Sequence, residues 1–107
     1  MKSKRTKLTD IPEEVKQIVY KRDHGRCIAC GELGLPNAHF IRRSQGGLGV
    51  PENVVTLCPK CHHDYDNGFY RDEMENYIRQ YLKSIYGASW NETKLVYNKW
   101  NGFKFNK

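Results

Sequence analysis

The sequence lacks any apolar run approaching the ~20 residues needed to cross a bilayer. Its basic start, Lys2, Lys4, Arg5 and Lys7, is not followed by the apolar stretch of a signal peptide, so the expectation is an intracellular protein in a reducing compartment. Internal repeats are absent, and no linker is long or polar enough to divide the chain. The 107 residues therefore read as one domain, small enough for a structural metal to matter. Cysteine is also scarce: there are four, and none stands outside a C-x-x-C pair.

Negative charge is the rarer sign, with 12 Asp and Glu against 18 Lys and Arg. The surplus sits at the two ends. Residues 1–26 carry a net +4, residues 27–68 a net −1 and residues 69–107 a net +3. Such a layout suits flanks that hold a polyanion around a module with its own bound cations, although ordinary solubilising charge would look the same.

Between the ends, local signals place a few elements. Asp10 before Ile11-Pro12-Glu13-Glu14 reads as an N-cap with a first-turn proline and a capping-box glutamate, predicting a helix from about Pro12 to Arg22. Ile11, Val15, Ile18 and Val19 fall on one face, expected to pack on the module. Asp23-His24-Gly25-Arg26 is a turn, with His24 as a turn residue, leading into a knuckle at Cys27-Ile28-Ala29-Cys30-Gly31. Leu35 to Ile41 reads as a strand, Asn53 to Leu57 as an apolar return, and Pro59 through Asp66 as a short helix ending near Asn67-Gly68. Met74, Tyr77, Ile78, Tyr81, Leu82 and Ile85 predict an amphipathic helix from about Asp72 to Tyr86, stopped by Gly87. Trp90, Leu95, Val96, Tyr97, Trp100, Phe103 and Phe105 follow without a clear period. Ser44-Gln45-Gly46-Gly47-Leu48-Gly49 reads as a flexible glycine-rich loop, and its spacing is not that of a phosphate-binding P-loop.

The four cysteines form Cys27-x-x-Cys30 and Cys58-x-x-Cys61, 27 residues apart. Two such knuckles supply a tetrahedral sulfur set for zinc. Disulfides are disfavoured by the expected reducing compartment, and a redox dithiol would need one pair only. The long separation implies that the intervening loop carries something of its own.

That loop contains Ala38-His39-Phe40-Ile41, Gly46-Gly47 and Pro51-Glu52-Asn53-Val54-Val55-Thr56-Leu57, leading into Cys58-Pro59-Lys60-Cys61-His62-His63. In this order, behind Cys27-x-x-Cys30, these segments resemble the HNH endonuclease family, most closely its small phage-type members, over roughly residues 11–68. The resemblance implies an α+β fold. It would be a small ββα-metal (His-Me finger) module stapled by a four-cysteine zinc site, with a basic arm at residues 1–10 and a helical extension over 69–107.

The resemblance further implies metal-dependent hydrolysis of phosphodiester bonds in DNA. It assigns His39 as general base, Asn53 as the residue that orients the histidine or approaches the metal through its amide oxygen, and His62 as a ligand of a catalytic divalent ion. Asp66, one helical turn beyond His62, is a second candidate ligand. Magnesium or manganese suits oxygen ligands, while His62 lets zinc or nickel compete. Many members carry Asp or His as a metal ligand just before the general base, where this chain has Ala38. His63 reads as a surface residue. Arg42, Arg43 and Lys60 are the expected phosphate contacts, joined by the arm Lys2 to Lys7, which could equally be a disordered tail. One site would nick as a monomer, and a double-strand break would need a dimer. The alternative is a noncatalytic zinc module that binds DNA or a protein.

Overall fold

A computed structural model of the chain describes residues 3–97. Lys2 of the basic arm and Trp100, Phe103 and Phe105 of the tail lie outside the described residues. Six main elements follow in order: α1 (Lys4–Thr9), α2 (Glu13–Arg22), β1 (Leu35–His39), β2 (Val54–Leu57), α3 (Pro59–Asp66) and α4 (Arg71–Tyr86). Short 3-10 turns occupy Arg43–Gln45, Pro51–Asn53, Gly87–Ser89 and Glu92–Lys94.

The two strands pair antiparallel, with Ala38 opposite Val55 and His39 opposite Val54, and an irregularity lies between Leu35 and Ala38. All four residues of β2 are buried, which explains the unbroken apolar reading of the return strand. Cys58 follows the strand and caps α3, and Pro59 occupies the first helical turn where its missing N–H costs nothing. The order β1–β2–α3, flanked by helices and carrying a four-cysteine cluster, is the expected α+β ββα arrangement.

One hydrophobic cluster runs from Cys27 through Phe40, Val55, Leu57 and Tyr65 to Ile78, Leu82, Trp90 and Leu95. The segment after α4, aperiodic in sequence, thus contributes to the core. Trp90 sits 5.7 Å from Phe40 between ring centroids, and its indole N–H donates to the Glu52 carbonyl at 2.9 Å. In α4, Ile78 and Leu82 are fully buried, whereas Tyr77 and Ile85 of the same predicted stripe are exposed.

Several expectations need correction. Within the basic arm, Lys4–Thr9 form α1, capped by Ser3, whose side chain accepts the Thr6 N–H. Asp10 does not cap α2; it ends α1 instead, and its carboxylate pairs with Arg43. The cap of α2 is Pro12, with no side-chain bond, so the helix starts at Glu13. Ile18 is half exposed, because Val19 supplies the buried contact of that helix. The strand ends at His39 and not at Ile41, since the chain turns there into the loop over Arg43–Gln45.

That glycine-rich loop is not a flexible excursion. Gly46, Gly47 and Gly49 are buried. The loop is tied to α1 through the Gly49 N–H and Leu8 carbonyl, and to the C-terminal segment through Leu48 N–H to Leu95 O and Tyr97 N–H to Gly46 O. A Cβ at Gly47 would lie 1.7 Å from the Ile41 carbonyl oxygen, so glycine there permits a close approach of two backbones.

A buried polar hub joins the layers. Arg22 at the end of α2 donates to the Pro51 and Val54 carbonyls and pairs with Asp23 at 2.8 Å. The Asp23 carboxylate accepts the Thr56 N–H and the Tyr81 hydroxyl. Sequence punctuation at Asp23 is therefore a tie between α2, β2 and α4, and every partner is needed to satisfy a charge away from water.

Candidate active site

The cysteine frame is built by two turns. Gly31, at φ +85°, closes the first knuckle, where its N–H donates to the Cys27 carbonyl and the Cys27 N–H donates to Glu32 O. Ile28 N–H then bonds to Thr56 O, fixing this knuckle on β2 beside the second. The result brings all four sulfurs within 4.8 Å of one another. Cys30 Sγ and Cys58 Sγ lie 3.6 Å apart, and Cys58 Sγ accepts the Cys61 N–H at 3.3 Å. This donor set fits one tetrahedrally held metal ion. It is the only group of three or more Cys, His, Asp or Glu side chains with such spacing among the described residues.

A separate cavity of about 900 Å³ opens beside the sheet. Its lining includes His39 from the end of β1 and both His62 and Asp66 from α3. His62 Nε2 lies 3.2 Å from Asp66 Oδ2, the i,i+4 relation bringing both side chains to one face of the helix. Two such atoms can ligate a single divalent ion, leaving its other positions to oxygen ligands from solvent or substrate.

His39 is partly buried, and its Nε2 stands 2.8 Å from the Thr9 carbonyl. A carbonyl accepts only, so Nε2 carries the proton and Nδ1 of the neutral ring is the acceptor. Burial lowers the pKa of His39 below its ordinary 6.5, and the charges of Arg43 and His62 act in the same direction, against the bond to Thr9 and the charge of Asp66. The ring is thereby kept neutral near pH 7.

Asn53, expected to orient the histidine or to approach a metal through its amide oxygen, has its side chain bonded to backbone. It is fully buried; its Oδ1 accepts the Ile41 N–H at 2.9 Å, and its Nδ2 donates to the carbonyls of Leu48 and Ile41. The amide is consumed in clamping the two ends of the loop between β1 and β2. Ala38 is buried in the core cluster and offers no ligand.

The basic residues are also partly engaged. Arg42 reaches the carbonyls of Asp66 and Tyr65 at the end of α3, where orphan helix carbonyls need donors. Arg43 lines the cavity while paired with Asp10, and Lys60 lies on the exposed first turn of α3, bonded to Asp64. His63 is exposed and lies outside the cavity lining, its imidazole beside Asn67. Sequence reasoning passed over Asn37, Lys16 and Ser44, all of which line the cavity. Strand alternation could have found Asn37, two residues before His39 on the same face. Lys16 carries no such signal, because its placement depends on how α2 packs.

Residues 27–68 match the family described as HNH endonuclease. A 45-residue segment is 38% identical to "Anaredoxin" of Nostoc sp., covering 40% of this chain and 59% of that protein's length. No solved structure matches the chain.

Proposed function

We propose, from the match of residues 27–68 to the HNH endonuclease family, that the protein is a metal-dependent endonuclease that hydrolyses phosphodiester bonds of DNA, with zinc held by Cys27, Cys30, Cys58 and Cys61. The observation that carries this reading is the juxtaposition of an oriented, neutral His39 with the His62–Asp66 pair in one polar cavity. His39 is the general base. Nδ1 takes a proton from a water aligned with the scissile phosphate, while the Nε2–H bond to Thr9 keeps the ring in place. His62 and Asp66 would hold a divalent ion, magnesium or manganese with nickel or zinc in competition, which would supply neutralisation of the negative charge that develops as the phosphodiester breaks. Arg43, Lys16 and Ser44 border the cavity and hold the flanking phosphates, giving affinity without sequence choice. The products are a 5′-phosphate and a 3′-hydroxyl, and a monomer nicks one strand.

The test compares the wild type with His39→Ala on supercoiled plasmid in Mg²⁺, Mn²⁺ or Ni²⁺. Relaxed circles from the wild type and a loss of at least ~100-fold in the variant are expected for a missing general base. Equal nicking by both, or none by either, removes the base from this reading.

A noncatalytic zinc module that binds DNA or protein is favoured by one pair of observations. Ala38 lies in the core, and the Asn53 amide is fully committed to backbone, so few side chains remain for a second metal. Calorimetric titration separates the readings: the nuclease binds a second divalent ion that His62→Ala abolishes, and the binding module takes up zinc alone.

A further inference from the structure

Helix α1 precedes the matched segment entirely, yet it reaches an imidazole that lines the cavity. The last carbonyls of any helix lack intrahelical partners, and α1 disposes of two of them outward. The Leu8 carbonyl accepts the Gly49 N–H at 3.0 Å, and the Thr9 carbonyl lies 2.8 Å from His39 Nε2. Thr9 is itself buried, its hydroxyl closing the helix end on the Arg5 and Thr6 carbonyls. One turn earlier on the same face of the helix, Arg5 Nη2 donates to the Arg43 and Ser44 carbonyls, both at 3.0 Å. These carbonyls belong to the turn that begins four residues after His39.

We propose that α1 is a positioning element of the active site, fastened by Arg5 so that the Thr9 carbonyl holds His39 in its Nε2–H tautomer. This rests on the reading of His39 as general base. A six-residue helix does not persist on its own, so its place depends on tertiary bonds, and Arg5 supplies two of them. Neutral histidine has two tautomers, and the hydrogen bond at one nitrogen selects between them. With the strap loosened, Nε2 loses its acceptor, and part of the population carries its proton on Nδ1, where it cannot take one from water. Arg5 acts through His39 and is a positioning residue, not a catalytic one.

The test uses the full zinc-loaded chain and two readouts. Nitrogen-edited NMR of the His39 ring reports the tautomer without any activity, and plasmid nicking in Mn²⁺ gives kcat and KM. The wild type is expected to show Nε2–H; finding Nδ1–H there overturns the proposal outright. Arg5→Met is expected to mix the tautomers and lower kcat by about 10- to 100-fold, with KM changed less than about twofold. Arg5→Lys, which keeps a donor, should recover most of both. Lys4→Met removes an arm charge but none of the bonds that Arg5 makes to the loop; it should raise KM and leave the tautomer as in the wild type, which separates phosphate attraction from positioning. An Arg5→Met protein with an unaltered tautomer and kcat overturns the proposal. If His39→Ala nicks as well as the wild type, the base assignment fails, while the tautomer comparison still decides the role of the strap.

Discussion

The Asn53 side chain is spent on backbone bonds. It bridges Ile41 and Leu48 through three hydrogen bonds, so it sets the mouth of the loop between the strands. Asn53→Ala would leave the Ile41 N–H and the Leu48 carbonyl unpaired, and a loss of about 3 kcal/mol is expected in denaturant unfolding of the metal-loaded protein. His39 makes a prediction about pH. Its native pKa lies below the unfolded value of 6.5, so between the two the unfolded chain binds the extra proton. Its contribution to stability is complete above pH 6.5 and is lost as pH falls through the lowered native value. Comparing His39→Gln with the wild type across pH 4–8, about the range that brackets an ordinary histidine, the stability difference should shrink on acidification. On the proposed reading of His39 as general base, nicking should have its acid limb below 6.5, because only the neutral ring accepts a proton; a limb above that value would identify a different base.

Among the elements, the glycine-rich loop matters most to the site. The sequence made it a flexible turn, since glycine clusters usually mark one. Its glycines instead allow backbones to meet: Gly47 against Ile41 and Gly49 against Asp10, where a Cβ would come within 1.8 Å of a carbonyl oxygen. Gly47→Ala is therefore expected to cost about 3 kcal/mol in thermal or denaturant unfolding, because the obstacle is main chain that cannot rotate away. An alanine variant as stable as the wild type would mean that the loop is free to move. Helix α3 was legible from Pro59 and the cysteine before it, and α4 from its apolar stripe. The arm was not, as α1 is short, has no apolar period and exists through contacts with a loop some forty residues away.

At the scale of the whole molecule, two separate centres share one small framework. The cysteine cluster joins the first knuckle to β2 and α3, and α3 in turn carries His62 and Asp66 into the cavity. Removing the metal should release the charge and geometry that hold both knuckles together. Chelation is accordingly expected to abolish the cooperative thermal transition, measured by circular dichroism, and re-addition of zinc to restore it. Survival of an unchanged transition in the chelated protein would place the stability in the apolar cluster and the Arg22–Asp23 hub alone.

The sequence by itself determined the frame, because ligand spacing, strand alternation and helix signals are local. Two cysteine pairs, a histidine at the end of a strand and a histidine one residue beyond the last cysteine specify the module without reference to anything distant. Only the tertiary structure decided what each polar group faces. It turned Asn53 inward, put Ala38 in the core, paired Asp10 with Arg43 and brought Thr9 to His39. The reason is that a hydrogen bond's partner is set by how separate segments pack, and residues 9 and 39 share no local pattern that could announce their meeting.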